Sequence, residues 1–92
     1  MINGFKHRGL KRLYEKGDPS RRKQDLVARC EEMLTVLDIA HDPRDVDSPG
    51  YRMHALRGKL KGYWSISVTG NWRIIFRFED GDIYDVNLVD YH

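Results

Sequence analysis

The spacing of apolar residues along this chain changes period once, at Gly50. Before that point apolar positions recur at helical intervals. Leu10, Leu13 and Tyr14 share one helix face, and Leu26, Cys30, Met33, Leu34 and Leu37 share another. After it they alternate. Tyr51, Met53 and Ala55 alternate with Arg52, His54 and Leu56, and Trp64, Ile66 and Val68 with Ser65 and Ser67. Trp72, Ile74, Phe76 and Phe78 alternate with Arg73, Ile75 and Arg77, and Tyr84, Val86 and Leu88 with Asp85 and Asn87. Side chains on one helix face recur every 3.6 residues and those on one strand face every two. The pattern therefore predicts an α+β domain, with helices first and a four-strand antiparallel meander after them. Residues 2–5 are expected to add a brief edge strand, giving four to five strands.

Local signals set the expected boundaries. The first helix is predicted over residues 6–16, with Gly17 as its stop. Asp18 reads as the N-cap of a second helix, with Pro19 at its first position and an end near residue 39. The two helices should form a hairpin on the apolar face of a curved sheet. Pro43, Pro49 and Gly50 mark residues 41–50 as loop. Thr69-Gly70-Asn71 is a hairpin signal. A three-residue loop there pairs Val68 with Trp72, Ile66 with Ile74 and Trp64 with Phe76, keeping apolar residues on one face, whereas a two-residue loop puts the phases in conflict. Asp80-Gly81 marks the next turn without fixing its register. Gly58 to Gly62 reads as a basic, mobile connector.

Ninety-two residues make one domain. The single cysteine, Cys30, lies on an apolar helix stripe and reads as a buried thiol; it permits no internal disulfide. No apolar run is long enough to span a bilayer, and the first residues carry no leader-like hydrophobic stretch, so a cytoplasmic protein with no membrane partner is expected. No spacing fits a zinc site and no glycine-rich loop precedes a helix; neither a metal nor a nucleotide cofactor is expected. The net charge of +2 hides an asymmetry. Residues 1–30 hold nine Lys or Arg against three Asp or Glu, and residues 31–50 hold one against six. A basic N-terminal third attracts polyanions, although such a stretch also suits a solvated helix surface.

The polar face of the predicted sheet carries His54, Ser65, Ser67, Arg73, Arg77 and Asn87, and the last strand runs directly into Asp90, Tyr91 and His92. Imidazole, guanidinium and hydroxyl groups suit phosphate chemistry. Cleavage of RNA by its own 2′-hydroxyl needs a base, an acid for the departing 5′-oxygen, and positive charge on the phosphorane. Histidine serves as either acid or base near neutrality, and arginine grips phosphate oxygens with a permanent charge. On this reading His54 is the base and His92 the acid, with the reverse assignment open. Arg73 and Arg57 hold phosphate, Asp90 orients a histidine or accepts a proton, and Tyr91 stacks on a base or bonds to phosphate. The scheme requires the imidazoles and the carboxy end to converge on one phosphodiester. His7 (in a basic helix) and His41 (in a loop) are expected to be incidental, and Trp64 and Trp72 to be core anchors.

Several segments resemble one family. Residues 5–17, FKHRGLKRLYEKG, resemble the opening of HigB-type toxins, as do residues 52–58, RMHALRG. The strongest likenesses are residues 62–68, GYWSISV, residues 70–74, GNWRI, and the terminal VDYH. Together they resemble the plasmid-maintenance killer branch of the RelE/ParE superfamily over essentially the whole chain. That resemblance implies a microbial-ribonuclease-like fold and an endoribonuclease that enters the ribosomal A site and cuts translated mRNA. It implies a HigA-type helix-turn-helix antitoxin, with operator DNA contacted only through the complex of the two. It places catalytic roles on His54, Asp90, Tyr91 and His92, and substrate contacts on Arg57 and Arg73 with Lys59 and Lys61 beside them. Arg57 stands where relatives often have lysine, which turns a point charge into a fork. It also gives the basic helices a use, docking on ribosomal RNA or on acidic antitoxin surface. Two rival functions are a ParE-like inhibitor of DNA gyrase and a non-catalytic RNA-binding regulator of translation. ParE-like members generally lack a histidine-rich terminus, which favours the nuclease.

Overall fold

Residues 1–6 run extended beside the last strand, and this settles where the first helix begins. In the computed structural model, residues 1–19 and 23–90 are described. The Asn3 and Lys6 amides donate to the carbonyls of Ile83 and Val86, at 2.7 and 2.8 Å. A residue held in that ladder cannot also be helical, so helix α1 spans Arg8–Lys16 and not 6–16. His7, expected inside the helix, is its N-cap: Nδ1 accepts the Leu10 amide at 3.1 Å. A Cβ at Gly9 would lie 2.9 Å from the His7 ring, so this cap needs glycine there. Gly17 ends the helix in the left-handed region, φ 68°, its amide donating to Leu13 O.

Helix α2 spans Gln24–Ile39. The expected start at Asp18 and Pro19 is corrected: both lie in the connection, and Asp18 sits 3.9 Å from Arg12 on α1. Lys23 is extended at the true N-cap and offers no side-chain cap, while Asp25 supplies negative charge in the first turn. Leu26, Cys30, Met33, Leu34 and Leu37 are buried, as the helical spacing requires. The loop after α2 contains a short 3-10 turn, Pro43–Asp45, capped by Asp42.

Four antiparallel strands follow in the order β1-β2-β3-β4: His54–Ala55, Tyr63–Ser67, Trp72–Glu79 and Asp82–Asp90. The N-terminal segment makes parallel bridges from Ile2 to Ile83 and from Phe5 to Val86, so β4 is covered and β1 is an edge. The helices pack on one face of this curved sheet, over a core that includes Met33, Leu37, Ile66, Ile74, Phe76, Ile83 and Val86. Trp64 and Trp72 pack against the core from partly buried positions rather than anchoring it.

The β2–β3 loop is the three-residue one: Val68 N donates to Trp72 O at 2.9 Å, Ile66 faces Ile74 and Trp64 faces Phe76. Asp80 and Gly81 form a two-residue turn with φ 51° and 82°, which pairs Glu79 with Asp82. Two expectations fail. Alternation predicts the first strand over residues 51–56, but Arg52 is left-handed, φ 51°, and among the described residues His54 and Ala55 alone pair in register with β2. In β4 the alternation breaks at Asp85, φ 56°, where a bulge shifts the register: Ile75 faces Asn87 but Arg77 faces Tyr84. Ile83, not Tyr84, therefore joins Val86 and Leu88 in the core.

Candidate active site on the open sheet face

Cross-strand partners share a face. The register therefore aligns His54, Ser65, Ile75 and Asn87 in one row across the uncovered face, and Ser67, Arg73 and Val89 in the next. Ser65 and Ile75 are buried and make a floor; His54 stands exposed at the β1 edge. His54 Nδ1 lies 3.1 Å from the Arg52 carbonyl oxygen. A carbonyl only accepts, so this contact puts a proton on Nδ1, and in the neutral ring the Nε2 lone pair is then available to accept one.

Arg57, Lys59 and Lys61 are exposed on the hairpin between β1 and β2. That connector, expected to be mobile, is a hydrogen-bonded 3-10 turn, Gly58–Leu60. Leu60 N donates to Arg57 O at 3.3 Å and Leu56 N to Tyr63 O at 2.9 Å across its base. Left-handed Gly58 and Gly62, φ 66° and 98°, frame the turn. Arg73 NH1 donates to the carbonyls of Gly70 and Trp72, at 3.2 and 3.1 Å. Among the described residues none of Arg57, Lys59, Lys61 and Arg73 pairs with a carboxylate. The sequence signal for this patch is an absence of acid: no Asp or Glu occurs from Ser48 to Phe78, while six Lys or Arg do.

Arg77, on the same face, is a different case. Its Nε donates to Asp85 Oδ2 at 2.6 Å, its NH1 to Glu79 Oε2 at 2.8 Å, and its guanidinium lies 5.2 Å from the Tyr84 ring centre. Its charge is spent locally. The Asp85 carboxyl is held below the usual range, first by the Arg77 hydrogen bond, helped by the Tyr63 hydroxyl at 3.3 Å. Lys6 caps the Tyr63 ring at 5.3 Å. This end of the face is locked to itself.

Asp90 pairs with Trp72, whose neighbour in phase is Ile74. It therefore belongs to the helix side of the sheet. It lines a hollow of about 410 Å³ with Lys23, Asp25, Leu26, Gly70, Asn71 and Trp72. The structure thus does not bring Asp90 beside His54: they lie on β4 and β1, three inter-strand steps or roughly 14 Å across the sheet, and Asp90 is displaced along β4 from Asn87, the residue in the His54 row. Tyr91 and His92 lie outside the described residues, and with them the expected convergence of the tail. Sequence reasoning missed the Arg52 carbonyl, because nothing in residue type announces a left-handed arginine. Among the described residues no three His, Cys, Asp or Glu side chains are grouped to hold a metal ion, and no helix is long and apolar enough to cross a membrane.

The family model for RelE-like toxins of HigB type II toxin–antitoxin systems matches residues 3–92. The chain belongs to this toxin family. The toxin is 45% identical over 92 residues, all of both chains, to the "Endoribonuclease HigB" of Proteus vulgaris. It is 35% identical over 85 residues to "Toxin HigB-1" of Vibrio cholerae serotype O1, covering 88% of this chain and 87% of that one. Its fold is shared with the "YoeB-YefM complex from Staphylococcus aureus", with a TM-score of 0.63 over 100% of this chain and 98% of that one. Identity there is 18%, so that likeness is one of fold.

Proposed function

We propose that this toxin is a ribosome-dependent endoribonuclease that cuts translated mRNA in the A site. The observation that carries the reading is the exposed His54 ring, oriented with Nε2 outward, on a face where Arg57, Lys59, Lys61 and Arg73 pair with no carboxylate among the described residues. His54 Nε2 takes the proton of a ribose 2′-hydroxyl. The oxygen attacks the adjacent phosphorus, the bond to the 5′-oxygen breaks, and His92 supplies a proton to that leaving oxygen. The products are a 2′,3′-cyclic phosphate and a 5′-hydroxyl end. Arg57 and Arg73 neutralise the phosphorane oxygens, so the scheme needs no metal ion. Lys59 and Lys61 hold flanking backbone. Asp90, on the helix side of the sheet, acts by orienting the tail histidine, and Tyr91 packs on a base or bonds to phosphate. The name of the 45% identical relative, an endoribonuclease, supports the chemistry. The YoeB–YefM toxin-antitoxin complex of the same fold supports a protein antitoxin, here of the helix-turn-helix HigA type, through which operator DNA would be reached.

The test is cleavage of a defined mRNA on programmed ribosomes. His54→Ala should slow it about 10²–10⁴-fold, the usual contribution of a general base. Each of Lys59→Ala and Lys61→Ala should weaken RNA binding at every sequence and lower the salt slope by roughly 0.7–0.9. Intact mRNA with loss of DNA supercoiling would make the toxin a gyrase poison. Intact mRNA with active gyrase would leave a binding protein.

A further inference from the structure

We propose that Glu32 and Arg29 of α2 are positioning residues for the reaction, acting through Tyr51 and Arg52 to hold the His54 ring in its Nδ1–H tautomer. The inference rests on His54 as the general base, but its main readout does not require cleavage.

The chain of contacts begins on the helix layer and ends at the imidazole. Arg29 NH1 donates to Glu32 Oε2 at 2.8 Å, and the Tyr51 hydroxyl donates to the same oxygen at 2.7 Å. The Arg29 guanidinium lies 4.8 Å from the Tyr51 ring centre, and it also reaches the carbonyls of Gly50 and Val68, each at 3.4 Å. Tyr51 is buried at 4% exposure, and its backbone is fixed on both sides: its amide donates to Ser48 O at 3.0 Å and its carbonyl accepts Ser67 N at 2.7 Å. The peptide on the N-terminal side of Arg52 is therefore held by hydrogen bonds. On the C-terminal side His54 is in register with Ser65 on β2. Between these fixed points Arg52 adopts φ 51°, a conformation that costs energy in an L-residue, and its carbonyl meets His54 Nδ1 at 3.1 Å. A strained residue whose carbonyl contacts a functional ring, clamped by a buried tyrosine tied to another layer, is an orienting device. Without that acceptor the ring divides its proton between Nδ1 and Nε2, and the fraction with Nε2 protonated cannot act as the base there.

Two substitutions at one site isolate the backbone. Arg52→Asn and Arg52→Val remove the same charge, but asparagine tolerates a left-handed φ and a β-branched residue does not. Ring nitrogen-15 spectra of the full chain, taken with His54 neutral, should report the Nδ1–H form in the wild type and in Arg52→Asn. They should report a mixture in Arg52→Val. Tyr51→Phe keeps the packed ring and deletes only the hydroxyl, so it serves if the valine variant does not fold. It too should move toward the mixture, and Tyr51→Phe with Glu32→Gln should move no further. In single-turnover cleavage at saturating ribosomes, Arg52→Val should be slower than Arg52→Asn by the factor by which its Nδ1–H fraction falls, with the same half-saturation. Identical ring spectra in Arg52→Asn and Arg52→Val, or an unchanged ring in Tyr51→Phe, would overturn the positioning role. If the spectra shift as expected while His54→Ala still cleaves, the positioning stands and the base assignment fails.

Discussion

Replacing Asp85 with glycine and with alanine separates the strain at the β4 bulge from the ion pair it carries. Both variants delete the carboxylate that accepts Arg77 Nε at 2.6 Å and the Tyr63 hydroxyl at 3.3 Å. Whatever that cluster contributes is lost equally and cancels in the comparison. What remains is the backbone. Asp85 has φ 56°, where a Cβ costs about 1–2 kcal/mol and glycine pays nothing. Glycine gives back about 0.4–1 kcal/mol through the greater freedom of its unfolded chain. The glycine variant should therefore be the more stable by about 1 kcal/mol, or roughly 5 °C in melting temperature for a domain of this size. Thermal and urea unfolding of the two purified variants at neutral pH measure this. Equal melting points would refute the strain argument, and a more stable alanine variant would invert it. The wild type adds a pH arm. Its Asp85 carboxyl is held below the usual range by Arg77, so the folded state binds that proton less readily than the unfolded one. The stabilisation is present above about pH 4 and is lost as pH falls below it, so the gap between wild type and both variants should narrow by pH 3.

Other expectations follow from burial. Tyr14 and Tyr51 are both pushed up to about 12, Tyr14 first by its 2.6 Å hydrogen bond to Asp38 and Tyr51 first by desolvation, then by Glu32. Their folded values exceed the unfolded value near 10, so the stability they contribute is whole below pH 10 and lost as pH rises through 12. Absorbance titration at pH 11 should leave both largely un-ionised in the folded protein, and Tyr51→Phe should remove one of the late-titrating phenols. Phe76→Ala should cost about 3–5 kcal/mol because that side chain is fully buried, whereas Trp72→Ala should cost less because the indole is only partly covered. Urea unfolding ranks the two, and a larger loss at Trp72 would contradict the packing described.

The architecture was legible because most of it follows from phase. Alternation on both sides of Thr69-Gly70-Asn71 admits one loop length that keeps Trp64, Ile66 and Val68 on the face of Phe76, Ile74 and Trp72, and that register is the observed one. The errors share a cause. Tyr84, Val86 and Leu88 satisfy an unbroken alternation as well as Ile83, Val86 and Leu88 satisfy a broken one, and composition cannot choose between them. The choice is made by the N-terminal segment, which bridges β4 at Ile83 and Val86 on either side of the bulge. Asp18-Pro19 failed for the same reason: a capping pair states a local preference, while Asp18 lies beside Arg12 on α1. A left-handed arginine leaves no trace in residue type, and aspartate, which visits that region more readily, is too common on strands to mark one position, so the shortened β1 and the bulged β4 were both hidden.

For the candidate site, the sequence disclosed which groups are present but not which meet. Arg73 and Arg77 are four residues apart on one strand, and alternation puts both on its polar face. In the structure Arg77 is matched by Asp85 and Glu79 and bears on the Tyr84 ring, whereas among the described residues Arg73 hydrogen-bonds to the carbonyls of Gly70 and Trp72 alone. An incoming phosphate would have to displace two carboxylates to use Arg77, and none to use Arg73. The useful positive potential therefore lies toward the β2–β3 turn and the β1–β2 hairpin, on the side of the sheet where His54 stands. Asp90 is excluded from that surface by parity, since its partner Trp72 points to the helices. Register thus divides the described groups: His54 and Arg73 lie on the open face, and Asp90 lies on the other.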